Sequence, residues 1–253
     1  MQRAVVHIGT QKTGTTTFQT WATHNREALH RTTSLRYYRS VFGDSNEIYP
    51  PIEFLIECLR PERVRTFRDA FSEQTVAELP ERLRVHLLSE LDGGDVLISN
   101  EVLSLMRHPD EVDRLCQLLS GYDIEFIAVR REPREFLRSY RQWMVNQRIA
   151  PSTDPTSEYY VEDDTWLLDF DALDPLFPGL RWVDYDEAMA TYGSIIPALC
   201  EEMGLDLASV PNWRIPARNR AGGIRTSIAR KRRRIRAQTQ RIRHRVRRLR
   251  SRL

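Results

Sequence analysis

Lysine is nearly missing from this chain. Of its 38 Lys and Arg residues only Lys12 and Lys231 are lysines. Cysteine is also scarce: Cys58, Cys116 and Cys200 share no close spacing, which excludes a disulfide framework and a cysteine-built zinc site and fits a reducing compartment. No apolar run approaches the roughly 18 residues a spanning helix needs. The chain does not open on a basic segment followed by an apolar stretch and a cleavage site, so no secretory signal is expected and a cytoplasmic location is. Acidic residues are absent from Arg214 to Leu253, a stretch that holds 17 Lys and Arg. The remaining residues therefore carry 21 basic and 35 acidic side chains, so the formal charge of +3 hides an acidic body and a strongly basic tail. With 41% hydrophobic residues over 253 positions, the body has enough apolar material for a real core.

Along the body, strand-like and helix-like segments alternate. Ala4–Ile8, Asp95–Ser99, Ile124–Val129 and Leu180–Asp184 read as short buried strands. Helices are expected from Thr15 to about Leu29, from Asp110 to Ser120 with Gly121 as the stop, from Pro133 to about Val145, and from Glu187 to Met203 with Gly204 as the stop. The stretch from Pro51 to Leu91 reads as mostly helical, broken at Pro61 and Pro80, and Gly93-Gly94 as a turn. Ala150–Asp164 is polar and reads as a surface loop. This order predicts an α/β fold: a three-layer domain with a mainly parallel central sheet flanked by helices, over residues 1–213, followed by a basic tail over 214–253 that is helical or partly disordered. In such sheets ligands bind beyond the carboxyl ends of the strands. Three strand ends therefore carry the functional expectation: Gly9–Thr17, Ser99–Glu101 and Arg130–Ser139.

The first, Gly-Thr-Gln-Lys-Thr-Gly-Thr-Thr-Thr, joins a strand to a helix. Small residues let backbone N–H groups turn inward, and a helix N-terminus favours an anion. Lys12 adds a point charge, and Thr13, Thr15, Thr16 and Thr17 add hydroxyls, so the segment has the makings of a phosphate cradle. It is not a Walker A loop, which places lysine directly after the second glycine; here Lys12 precedes Gly14. The run Gln-Lys-Thr-Gly-Thr-Thr after a first strand resembles the 5′-phosphosulfate loop of sulfotransferases that use 3′-phosphoadenosine 5′-phosphosulfate (PAPS). The likeness is nearest to bacterial and carbohydrate-modifying branches, including heparan sulfate N-sulfotransferase-like domains. The resemblance implies that Lys12 contacts the phosphosulfate bridge and that Gly14, Thr15 and Thr16, with Thr13 and Thr17, hold phosphate oxygens.

A second signature of that family is a strand-end arginine followed eight residues later by a helical serine, together binding the donor's 3′-phosphate. Arg131 and Ser139 have that spacing; Arg130 is one residue longer. Adjacent strand residues face opposite ways, so one of the two arginines reaches the nucleotide, and Arg131 is the choice. Its planar fork suits phosphate. Sulfuryl transfer also needs a base for the acceptor's proton. In several branches it follows the strand preceding the 3′-phosphate arginine. That position is Glu101, with Asn100 or Ser99 to orient base or substrate; Glu27 and His24 are the weaker candidates. Arg218, Asn219 and Arg220 lie where the family has a late basic loop, without matching it. No histidine spacing points to a metal.

In the tail, Ile228, Ile235, Ile242 and Leu249 recur every seven residues among arginines. The stripe is compatible with attachment to an anionic membrane surface. The reading that follows is a PAPS-dependent sulfotransferase acting on a carbohydrate or glycolipid. Two others compete with it: a P-loop kinase, and a tail-driven binder of membranes or nucleic acid.

Overall fold

The structure is a computed structural model that describes residues 1–40, 52–60, 73–90 and 94–207. Five strands form one sheet: β1 (Gln2–His7), β2 (Leu35–Tyr37), β3 (Asp95–Ser99), β4 (Tyr122–Arg130) and β5 (Arg181–Asp184). Their order is β2-β3-β1-β4-β5, and all four pairings are parallel. The apolar runs explain this. A parallel sheet is covered on both faces, so the central stretches of β1, β3 and β4 are continuous apolar runs, with charged residues toward the strand ends and at Glu125.

Ala4, Val6 and Ile8 of the β1 segment turn to one face. There they meet Phe54, Leu55 and Cys58 of α3 (Ile52–Cys58) and Val112 and Leu115 of α5 (Pro109–Leu118). Val5 turns to the other face, against Phe18, Trp21 and Ala22 of α1 (Thr15–His24) and Ile196 and Leu199 of α8 (Ile195–Glu202). The three layers are thus set by the two-residue period of a strand. A third apolar cluster joins α6 (Pro133–Gln147), through Phe136, Leu137, Tyr140 and Met144, to Val161 and Leu167 of the following loop.

Several elements differ from the sequence reading. The helix expected over 15–29 is two helices, α1 and α2 (Arg26–Thr33), separated by Asn25. The amide nitrogen of the Asn25 side chain and its backbone N–H both donate to the Trp21 carbonyl, closing the first helix locally. The helix expected over 187–203 is α7 (Tyr185–Tyr192) and α8. Gly193, at φ +67°, ends the first, and the Ser194 hydroxyl accepts from Ile196 N to begin the second. Pro80 does not break its helix; it lies inside α4 (Glu73–Glu90). β2 has no counterpart in the sequence reading. Three residues are too few to show a period, and their strand conformation comes from pairing with β3. Pro61, Gly93 and the whole of 214–253 lie outside the described residues.

Because every pairing is parallel, the carboxyl ends of all five strands lie along one edge. His7 pairs with Ser99 on one side and with Ile127 on the other. The chain extends the sheet from β1 through β2 and β3 in one direction and through β4 and β5 in the other. The loop after β1 therefore opens at a topological switch point.

Candidate functional site

Residues 9–14 form the loop between β1 and α1. Its backbone is left-handed at Gly9 (φ +62°), Lys12 (φ +65°) and Gly14 (φ +86°). At Lys12 this conformation is uncommon for a residue with a side chain. A Cβ on Gly9 would stand 3.0 Å from Glu101 Cα, so glycine is what lets the turn after β3 come this close. A Cβ on Gly14 would stand 3.0 Å from Ile195 Cγ2, so α8 packs directly behind the loop. The helical bonds of α1 begin with Thr17 N and Phe18 N on the Gly14 carbonyl, which leaves the amides of Thr15 and Thr16 ahead of them at the helix start.

The threonines divide. Thr13 donates its hydroxyl to the Thr10 carbonyl at 2.6 Å, and Thr15 lies 3.4 Å from the same oxygen; both side chains are buried. Thr10 in turn donates to Val129 O of β4 at 2.6 Å. These hydroxyls brace the loop from within. Thr16 is exposed and Thr17 half-buried, so at Thr13 and Thr15 the groups left for a ligand are backbone ones.

Lys12 and Arg131 are brought together. Arg131 Nη1 donates to the Lys12 carbonyl at 3.0 Å, and its guanidinium carbon lies 4.6 Å from the centre of the Tyr185 ring. Glu135 and Asp186 stand at 3.7 and 3.9 Å from it. The Arg131 side chain is only 15% exposed, and its Nε is buried without a hydrogen-bond partner. Arg130 turns outward, with Asp184 at 3.9 Å. Ser139 lies in the second turn of α6, half-buried, and among the described residues it makes no hydrogen bond to Arg131.

No carboxylate among the described residues pairs with the Lys12 ammonium within 4.0 Å. The nitrogen instead lies 5.8 Å from the centre of the Trp143 ring, on α6. Burial pushes the Lys12 amine below its ordinary value; the Glu101 charge opposes that shift and the Arg131 charge adds to it.

Glu101 opens a 3₁₀ helix (Glu101–Leu105) directly after β3. Its surroundings are fixed by a short chain of bonds. Asn100 N donates to His7 O at 3.0 Å, Asn100 Oδ1 accepts from Val102 N at 3.0 Å, and Gln19 Nε2 donates to Glu101 Oε2 at 3.0 Å. Gln19 also donates to Ser99 O at 3.2 Å. Sequence reasoning passed over Gln19, although the signal was there. It shares a helix face with Thr15, Phe18 and Ala22, so it is a polar residue on a buried stripe.

The weaker base candidates lie elsewhere. His24 is exposed at the last turn of α1, roughly 13 Å along the helix from Thr15 by the rise per residue. Glu27 is exposed on α2 and pairs with Arg26 at 3.2 Å. Asp95 sits at the first position of β3, at the opposite edge of the sheet, where it accepts from Arg3 N. Arg218, Asn219 and Arg220 lie outside the described residues. Beside α6, a cavity of about 430 Å³ is lined by Arg141, Met144, Val145, Ile149, Pro151, Val161 and Glu162.

Two solved structures are similar in chain path, and both are sulfotransferases. One, from Alicyclobacillus acidocaldarius, has a TM-score of 0.49 and 12% identity, covering 85% of this chain and 86% of the other. The second, the sulfotransferase domain from the curacin biosynthetic pathway, has a TM-score of 0.43 and 10% identity, covering 81% and 74%. No family model and no curated protein matches the sequence. Among the described residues no group of His, Cys, Asp and Glu is arranged to hold a metal ion.

The arrangement has a definite chemical capacity. A charged donor group bound at the start of α1 meets backbone amides, one desolvated ammonium and one guanidinium. A carboxylate stands across the same edge of the sheet.

Proposed function

We propose that the protein is a sulfotransferase that moves a sulfuryl group from PAPS to a hydroxyl or amine of a carbohydrate or glycolipid. The observation that carries the reading is the meeting of Lys12 and Arg131. Two motifs 119 residues apart in sequence are joined by the bond from Arg131 to the Lys12 carbonyl. The site's residues fit the donor: no carboxylate among the described residues pairs with Lys12, and Arg131, although Glu135 and Asp186 stand near it, has an Nε without a hydrogen-bond partner.

The donor supplies an activated sulfuryl group. Lys12, with the amides at the start of α1, holds the 5′-phosphosulfate and stabilises the charge that grows on the leaving phosphate. Arg131 and Ser139 hold the 3′-phosphate. Glu101 takes the proton from the acceptor as its oxygen or nitrogen bonds to sulfur and the bond from sulfur to the phosphate oxygen breaks. Positioning and fixed charge carry the catalysis.

The body over residues 1–213 holds this chemistry, and the tail from 214 onward places it. That location is the cytoplasm, at the inner face of an anionic membrane, through the arginine-flanked stripe of residues 225–253. No helix among the described residues is long and apolar enough to cross a membrane.

The test is a calorimetric titration with 3′-phosphoadenosine 5′-phosphate. The wild-type chain binds it, and Lys12→Ala binds about 10- to 100-fold more weakly, the loss of one charge-assisted contact. Absent binding, or equal binding by the variant, rejects the reading.

A further inference from the structure

A carboxylate that is to accept a proton must be held in one orientation without being neutralised. An arginine or lysine partner would orient Glu101 and also tie it into an ion pair. The structure uses a neutral amide instead. Gln19 is 3% exposed and sits on the inward face of α1. Its Nε2 lies between two acceptors, Ser99 O at 3.2 Å and Glu101 Oε2 at 3.0 Å. Turning the amide over would set its oxygen against both of them, so the nitrogen is fixed on the Glu101 side.

Ser99 is itself anchored, since its hydroxyl is 2.8 Å from His7 Nδ1 at the end of β1. One carboxylate oxygen of Glu101 is thus bound to the sheet edge through Gln19. The other, Oε1, takes no hydrogen bond from the described residues. The helix that bears Gln19 is the one whose first turn follows the Lys12 loop, so a single rigid element spaces the base from the cationic site.

We infer that Gln19 is the positioning residue of Glu101, holding Oε2 so that Oε1 faces the acceptor. This rests on the sulfotransferase reading, in which Glu101 is the base. A residue that acts only through Glu101 has a distinctive signature: its removal has no effect on turnover once Glu101 is gone.

The experiment is a double-mutant cycle of Gln19→Leu and Glu101→Gln in the full chain. It reads release of inorganic sulfate from sulfur-labelled PAPS with water as the acceptor, alongside calorimetric affinity for 3′-phosphoadenosine 5′-phosphate. Gln19→Leu is expected to lower turnover about 10-fold or more with nucleotide affinity within twofold of wild type, and to add nothing to Glu101→Gln. Additive losses, or parallel loss of nucleotide affinity, give Gln19 a structural role and overturn the inference. Retained turnover in Glu101→Gln overturns instead the assignment of the base on which the inference rests. A second measurement does not depend on activity. In protein labelled with carbon-13 at the glutamate carboxyl, the Glu101 resonance, assigned by its loss in Glu101→Gln, moves or broadens in Gln19→Leu. An unchanged resonance overturns the proposal.

Discussion

His7 shows how burial alone can make one residue a pH sensor of stability. It sits at the end of β1, fully buried, with its Nδ1 on the Ser99 hydroxyl and its ring edge-on to Phe18 at 5.1 Å. Burial pulls it down from 6.5 to about 3. The folded protein therefore refuses a proton that the unfolded chain accepts below 6.5. The stabilisation is complete above that pH and is lost as pH falls from 6.5 toward 3. The shift corresponds to about 2 kcal/mol between pH 7 and pH 5, with an upper bound of about 5 kcal/mol in all. Urea unfolding of the wild type and of His7→Gln at the two pH values measures it; the variant is expected to lose roughly 2 kcal/mol less on acidification. Gln19 and Thr13 belong to the same scale. Both are small polar side chains whose roles follow from one or two bonds, and only the folded neighbours define those bonds.

Among the elements, the loop after β1 is held by its contacts with others. Gly14 combines a left-handed backbone with a close approach to Ile195 of α8. Gly14→Ala is expected to cost about 1–3 kcal/mol, through strain at positive φ and crowding of Ile195. Because α1 and the loop must shift to relieve the crowding, affinity for 3′-phosphoadenosine 5′-phosphate should fall with stability. Chemical denaturation paired with calorimetry reads both, and unchanged values for the two would show that the loop tolerates a side chain there.

The apolar runs within β1, β3 and β4 were legible in the sequence because the buried middle of a parallel strand is hydrophobic on both faces. The breaks at Asn25 and Gly193 were not. Each rests on one local hydrogen-bonding choice against an otherwise continuous helical pattern. Pro80 is the converse case: a residue that ends helices in isolation lies within α4.

At the scale of the whole molecule, charge is divided by position along the chain. Lys12 and Arg131 lie at one edge of the sheet in an acidic body, while the 17 basic residues from Arg214 onward have no acidic residue among them in the sequence. A chain ending at Trp213 is expected to keep its nucleotide affinity within about twofold. It should lose binding to vesicles rich in anionic lipid, binding that for the full chain weakens steeply as salt rises. Co-sedimentation across a salt series checks this; equal vesicle binding by the two chains would refute a targeting role for the tail.

What the amino-acid sequence determined by itself was the alternation of strands and helices, the three strand ends with polar residues, and the identity of the one lysine in the body. Local composition and spacing suffice for these, because they follow from the periods of secondary structure and the chemistry of single residues. The tertiary structure alone decided the strand order, the bond from Arg131 to the Lys12 carbonyl, the inward hydrogen bonds of Thr13 and Thr15, and the bond from Gln19 to Glu101. Each of these depends on which segments pack against one another. That is settled by the burial of both sheet faces at once, a property of the assembled chain that no single segment carries.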